Sequence, residues 1–403
     1  MSIEKKTSKA ITAEIYNAIK GSSLIRKMFE EGARLKKLYG NENVQDLSIG
    51  NPTLDPPQIF KENLLKHAKN IPPQGHGYIP NIGLPETQEA IAKMLSNIEK
   101  INIPKDNVIV TSGAAGGMNI IFRSILEQDD EVIVLLPFFP EYEWYAKNWR
   151  GKVVKVETDE KFHPNIEKIE AAITEKTRAI IINSPNNPSG AVYTQDEINK
   201  IGELLRKYSK KHDRPIYMIS DSPYMRLCYD GIEPASIFLA YENSFEVGSF
   251  SKDMSIPGER MGYVIVNPNC EYSKDLINAF VLCNRILGFV NANRFFQKII
   301  ADSLPAIADI KIYDKLRKII YNGLTESGFE CVEPKGAFYI FPRAPKGHDG
   351  TSFTQIMAKK NVLIVPGVAF GSPDFFRISY ATNESTLRKA IPLFKQALDE
   401  IRK

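Results

Sequence analysis

Seven apolar runs punctuate the middle of the chain: Asn107–Val110, Glu131–Pro137, Lys152–Val156, Ala179–Ile182, Ile216–Ile219, Phe245–Gly248 and Tyr263–Val266. They are short and rich in β-branched residues, as strands covered on both faces are. Helical stretches alternate with them, which predicts β/α units and a largely parallel sheet. After about Cys270 the pattern changes. Long helical stretches at Asp275–Leu287 and Asp309–Ser327 precede the apolar runs Gly336–Pro342, Val362–Gly367 and Phe376–Ala381, and this predicts a second, smaller α+β domain. At the amino end a polar arm leads into Ser23–Tyr39, where Leu24, Ile25, Met28, Leu35 and Leu38 fall close to helical spacing and Gly40 supplies a stop.

Composition narrows the classes of function without choosing one. A chain of 403 residues with 43% hydrophobic and 25% charged positions is long enough for two globular domains. Basic residues number 52 against 48 acidic, a net charge of +4, so no electrostatic footprint for nucleic acid or an anionic membrane is visible. No stretch reaches the apolar length of a membrane span, and the start Met1-Ser2-Ile3-Glu4-Lys5-Lys6 lacks the apolar region of a signal peptide. The expected compartment is the cytoplasm. Cys228, Cys270, Cys283 and Cys331 lie too far apart for a Cys-x-x-Cys site, and the five histidines are equally scattered, so no metal is expected.

Candidate chemistry gathers just after the predicted strands, where open α/β sheets bind their ligands. Thr111-Ser112-Gly113-Ala114-Ala115-Gly116-Gly117-Met118 is a small-residue turn opening a helix, whose free N–H groups suit a phosphate. It is neither Gly-x-Gly-x-x-Gly nor a P-loop, which argues against a dinucleotide or nucleotide triphosphate. Lys252 follows Phe245–Gly248, beside Ser249 and Ser251 and eight positions before Arg260. This arrangement suits a Schiff base to a cofactor whose phosphate needs an anion site nearby. A pyridoxal phosphate ring also needs a carboxylate to keep its nitrogen protonated, and donors on its phenolic oxygen. Asp221, after Ile216–Ile219, meets the first need, and Tyr224 and Asn187 meet the second. Arg377 lies in a short apolar strand, where a cation is costly without a partner; a substrate carboxylate or a structural one would serve.

The ordered set Asn187-Pro188-Ser189-Gly190, Asp221-x-x-Tyr224, Ser249-x-Ser251-Lys252 and Gly258-Glu259-Arg260-Met261-Gly262 resembles the class I/II aminotransferases, pyridoxal phosphate enzymes of fold type I. The resemblance runs from about Leu47 to about Ala381. It implies an α/β fold: a large domain over residues 51–287 with a mostly parallel seven-stranded sheet flanked by helices, and a small α+β domain made of 1–50, as an N-terminal arm, and 288–403. It implies catalytic roles for Lys252, Asp221 and Tyr224, phosphate contacts from the Gly113, Ala114 and Ala115 backbone with Ser249, Ser251 and Arg260, and a ring stacked on Phe139. Substrate contacts fall to Gly50, Asn187 and Arg377. Tyr78 reaches the phosphate of the other subunit in a homodimer, although the Leu-Arg pair the family often places after this element is Glu86-Thr87-Gln88-Glu89 here. Arg285, 33 residues after Lys252, stands about where some aspartate aminotransferases read a distal carboxylate across subunits.

The activity so implied moves an amino group from an L-amino acid to a 2-oxo acid in a ping-pong cycle. Three other readings stay open. The same fold and cofactor host β-lyases, decarboxylases and synthases. Ser249-x-x-Lys252 formally matches penicillin-binding enzymes, but no Lys-Thr-Gly follows. A cofactor-binding effector module of a transcription regulator would need more basic sequence before Leu47 than is present.

Overall fold

The computed structural model describes residues 10–21 and 32–402. The seven runs form the strands of one sheet. A two-residue strand β1 (Gln45–Asp46) precedes them. They are β2 (Val108–Ser112), β3 (Glu131–Leu136), β4 (Lys152–Glu157), β5 (Thr177–Ile182), β6 (Tyr217–Asp221), β7 (Ser244–Ser249) and β8 (Met261–Val266). Their order is β2-β8-β7-β6-β5-β3-β4, and only β8 runs antiparallel to its neighbours. Both faces are covered. Ile109, Val132, Val134, Ile219, Phe245 and Val247 pack toward helices Gly113–Ile125 and Ser273–Ile286. Val110, Ile133, Ile180, Ile182, Met218 and Ile265 pack on the other side, with helices Pro85–Glu99, Gln195–His212 and Arg294–Ser303. Double burial is why the runs read as continuous apolar segments.

This topology sets the site. The carboxyl ends of β2, β3, β5, β6 and β7 lie along one edge, and the antiparallel β8 brings its amino end there as well. Gly113, Phe139, Asn183, Asp221, Ser249 and Arg260 are therefore neighbours in space because each follows, ends or precedes a strand at that edge.

A second core gathers Tyr313, Leu316, Ile320, Phe338, Phe353, Phe376, Ile378 and Phe394. The runs expected there yield β9 (Tyr339–Ile340), β10 (Val362–Leu363), β11 (Val365–Pro366) and β12 (Phe376–Ser379). β12 pairs antiparallel with β9 and β11, and β1 pairs parallel with β10. Helices Ile310–Ser327 and Glu384–Ile401 pack on this core. Helix Arg294–Ser303 instead packs against helices Gln58–Lys69 and Pro85–Glu99 of the first core. Of the helix expected over Ser23–Tyr39, residues 32–39 are helical, with Leu35 against Val44 and Leu363; residues 23–31 lie outside those described.

Two ionic junctions tie the cores together. Arg226 donates through Nε to Asp253 Oδ2 at 2.6 Å and through a terminal nitrogen to the Pro305 carbonyl at 2.8 Å, while Ala308 N–H donates to the Asp253 carbonyl at 2.7 Å. The turn after Lys252 is thus pinned to the segment linking helices Arg294–Ser303 and Ile310–Ser327. Arg317, fully buried, is bound by Asp230, Asp314, Glu333 and the Pro334 carbonyl, which holds the approach to β9. No helix among the described residues is long and apolar enough to cross a membrane.

Candidate active site

A cavity of about 340 Å³ opens at the carboxyl edge of the sheet, between the two cores. Its wall includes Gly50, Ala114, Ala115, Phe139, Asn187, Asp221, Tyr224, Ser249, Ser251, Lys252, Arg260 and Arg377. Gly113 lies directly beside it: with φ at 70° it turns the chain from β2 into helix Gly113–Ile125, and a Cβ placed there would stand 2.7 Å from an Arg260 nitrogen. Small residues are needed so that helix N–H groups and the guanidinium can converge on one anion.

Lys252 stands in the middle, its Nζ donating to the Gly50 carbonyl at 2.8 Å. Burial, followed by the nearby cations Arg377 and Arg260, lowers its ammonium to about 8, so a free amine is accessible near neutrality. Asp221, the last residue of β6, is buried, and burial lifts its carboxyl to about 6; the Tyr142 hydroxyl, which donates to its Oδ2, pulls in the opposite direction. The Tyr224 and Tyr339 hydroxyls are 2.9 Å apart.

Arg377 is held in β12, in register with Val365. One terminal nitrogen donates to Asn187 Oδ1 at 3.0 Å and the other to the Ser48 carbonyl at 2.8 Å. Its carbon lies 4.6 Å from the Tyr339 ring centre and 4.9 Å from that of Phe370. Burial lowers its pKa, its Nε has no hydrogen-bond partner, and among the described residues no carboxylate comes within ion-pair distance. Arg377 thus forms no ion pair within the described chain, and Glu141 acts on it only electrostatically from farther off. A buried guanidinium without an ion pair has room in its hydrogen bonding for an anion from outside.

Three expected positions look different in the structure. Gly50 lines the cavity as expected, but its lack of a side chain is also required by the protein itself, since a Cβ there would stand 2.3 Å from the Tyr339 hydroxyl. Tyr78 is 92% exposed and lines a separate surface hollow with His76 and Arg294, so within one chain it does not join the cavity. Arg285 is exposed on helix Ser273–Ile286, also away from the cavity. The sequence reading did not single out Tyr142, Tyr145, Met118, Asn183 or Tyr339. Tyr142 had a signal, because it follows Phe139 by one helical turn and the two rings meet edge to face at 5.5 Å.

Comparison with known proteins agrees with this geometry. Residues 42–392 match the family model for aminotransferase class I and II. The chain is 33% identical to an aspartate aminotransferase of Pyrococcus horikoshii, covering 94% of this chain and 95% of the relative. It is 32% identical to aromatic-amino-acid aminotransferase 2 of Thermococcus litoralis, over 94% and 96%. The crystal structure of an amino transferase from Eubacterium rectale superposes with a TM-score of 0.94 at 36% identity, covering 98% of this chain and all of that one. The chain is a class I/II aminotransferase.

This aminotransferase uses pyridoxal 5′-phosphate, and its residues fit that group. The Gly113 turn with Arg260 makes an anion cradle, Phe139 offers an apolar face, and Asp221 sits as a buried carboxylate on the wall shared with Lys252. Transamination between an amino acid and a 2-oxo acid is accordingly its reaction. Among the described residues, no group of His, Cys, Asp and Glu is arranged to hold a metal ion.

Proposed function

We propose that Lys252, Asp221 and Tyr224 carry the chemistry and that Arg377 with Asn187 and Gly50 seats the α-carboxylate of an L-amino acid or 2-oxo acid. The observation that supports this most is the buried Arg377, with no ion pair among the described residues, in the same cavity wall as the Lys252 amine. When bound, the cofactor supplies an electron-withdrawing ring that takes up the electron pair of the substrate Cα–H bond. The Lys252 amine takes the proton from the substrate Cα. Asp221 keeps a proton at the ring nitrogen, and Tyr224 and Asn187 direct donors to the phenolic oxygen. The Gly113, Ala114 and Ala115 backbone, Ser249, Ser251 and Arg260 bind phosphate, and Phe139 covers the ring.

The same proposal includes a homodimer in the cytoplasm, in which the exposed Tyr78 of each subunit reaches the phosphate bound by the other. The two domains follow the two cores, residues 51–287 forming most of the first; by its packing, helix Arg294–Ser303 goes with the first. Relatives are named for aspartate and for aromatic amino acids, so both donor classes belong in the assay. The test is a half-reaction survey: purified holoenzyme is mixed with single amino acids and the visible absorbance of the cofactor is followed. Loss of absorbance, restored by a 2-oxo acid, is expected, and Lys252→Ala should show no turnover. Turnover that proceeds without any 2-oxo acid would point to a lyase or decarboxylase instead.

A further inference from the structure

Tyr339 stands between the two halves of this machinery. It is 2% exposed, lines the cavity, and belongs to β9, which the Arg317 junction and pairing with β12 hold in place. Its hydroxyl touches that of Tyr224 and takes the space that a side chain at position 50 would fill, while its ring lies beneath the Arg377 guanidinium. One residue therefore contacts the proposed donor to the cofactor's phenolic oxygen and the proposed grip on the substrate carboxylate.

The proton count decides what this contact does. Tyr224 has one hydroxyl proton, and giving it to Tyr339 leaves none for the cofactor. We propose that Tyr339 is a positioning residue whose hydroxyl donates to Tyr224 Oη, leaving the Tyr224 proton free for the cofactor, and whose ring separately holds the Arg377 guanidinium level for a carboxylate. The inference rests on the reading of Tyr224 as that donor. A donor into the Tyr224 oxygen polarises its O–H and strengthens the outgoing bond, as linked hydrogen bonds do. The hydroxyl and the ring thus have separable duties: the first acts on the cofactor, the second on the substrate.

The experiment titrates the visible absorbance of the Lys252-bound cofactor against pH in holoenzyme carrying Tyr224→Phe, Tyr339→Phe or both, with thermal melts to confirm folding. A donor to the phenolic oxygen favours the deprotonated, charged form, so losing it raises the midpoint. Tyr224→Phe should raise it, and Tyr339→Phe should raise it by less, about half a pH unit or roughly threefold in the protonation equilibrium. The double variant should match Tyr224→Phe alone, because the hydroxyl acts only through its neighbour. For the ring, propionate binding should be unchanged in Tyr339→Phe and weakened severalfold in Tyr339→Leu. A midpoint unmoved by Tyr224→Phe overturns the reading of Tyr224. A midpoint moved by Tyr224→Phe and unmoved by Tyr339→Phe, even with a lower melting temperature, overturns the inference and leaves Tyr339 merely structural. Equal propionate affinity in Tyr339→Leu overturns the ring's part.

Discussion

Two buried arginines of the second core are treated in opposite ways. Arg317 is fully buried and meets three carboxylates and a carbonyl. Arg377 is also buried, yet it meets an amide oxygen, a carbonyl and two rings, and its Nε bonds to nothing. Both pay for desolvation, but only Arg317 is compensated by the chain. A charge that serves the fold is satisfied where it lies, whereas the proposed binding charge is left with a donor to spare.

The sharpest way to break this contrast is to remove each cation. Arg377→Met should lower kcat/KM for amino donors by about 10²–10³-fold, the loss of a buried bidentate pair on one side, without lowering the melting temperature. A melting temperature that falls would show that Arg377 also holds the fold. Arg317→Met should do the reverse. It leaves Asp230, Asp314 and Glu333 facing each other, but their side chains are 27–34% exposed, so the cost sits at the low end of a broken buried network, about 3 kcal/mol. Denaturant melts measure it; loss of activity per folded molecule as large as that of Arg377→Met would erase the distinction.

A subtler test uses pH. The Arg377 cation is among the causes that lower Lys252 to about 8. Only the free amine links to the cofactor, so reconstitution of the apoprotein with pyridoxal phosphate should speed up as pH rises and level off near 8. Removing a neighbouring cation makes the ammonium easier to keep. The levelling point should therefore move upward in Arg377→Met and stay in place in Arg317→Met; movement in both would mean a general loosening of the site. The smallest effect belongs to the exposed Arg285. Arg285→Ala should leave neutral donors unchanged, and equal losses in kcat/KM for acidic and neutral donors would reject a role in reading a distal carboxylate.

Much of this was legible in the chain. All seven apolar runs became strands of one sheet, since burial on both faces demands the continuous apolarity that makes them visible. The residues at the strand ends were legible because the sheet edge collects whatever follows each strand. In the second core the runs were visible but their ladders were not: Gly336–Pro342 contributes a two-residue strand, and Val362–Gly367 splits into two such strands because its halves pair with different partners, β1 and β12. Partners distant in sequence were hidden too. Tyr142 serves Asp221 across 79 positions, and Tyr339 meets Tyr224 across 115; neither pairing leaves a local pattern. Glu246 is the clearest blind spot, a glutamate within an apolar run. It is fully buried beside buried Glu99, and desolvation pushes both carboxyls upward, because neither charge is easily kept away from water.

The junction between Arg226 and Asp253 carries a lesson about descent. Each member is nearly out of water and each answers the other, so changing either one alone strands a charge at a cost of about 3–5 kcal/mol, directly beside Lys252, the proposed anchor of the cofactor. Replacing both with well-packed apolar residues can be nearly neutral. A lineage that once acquired the pair can leave it only by two changes made close together, and the first of these is the one selection would see.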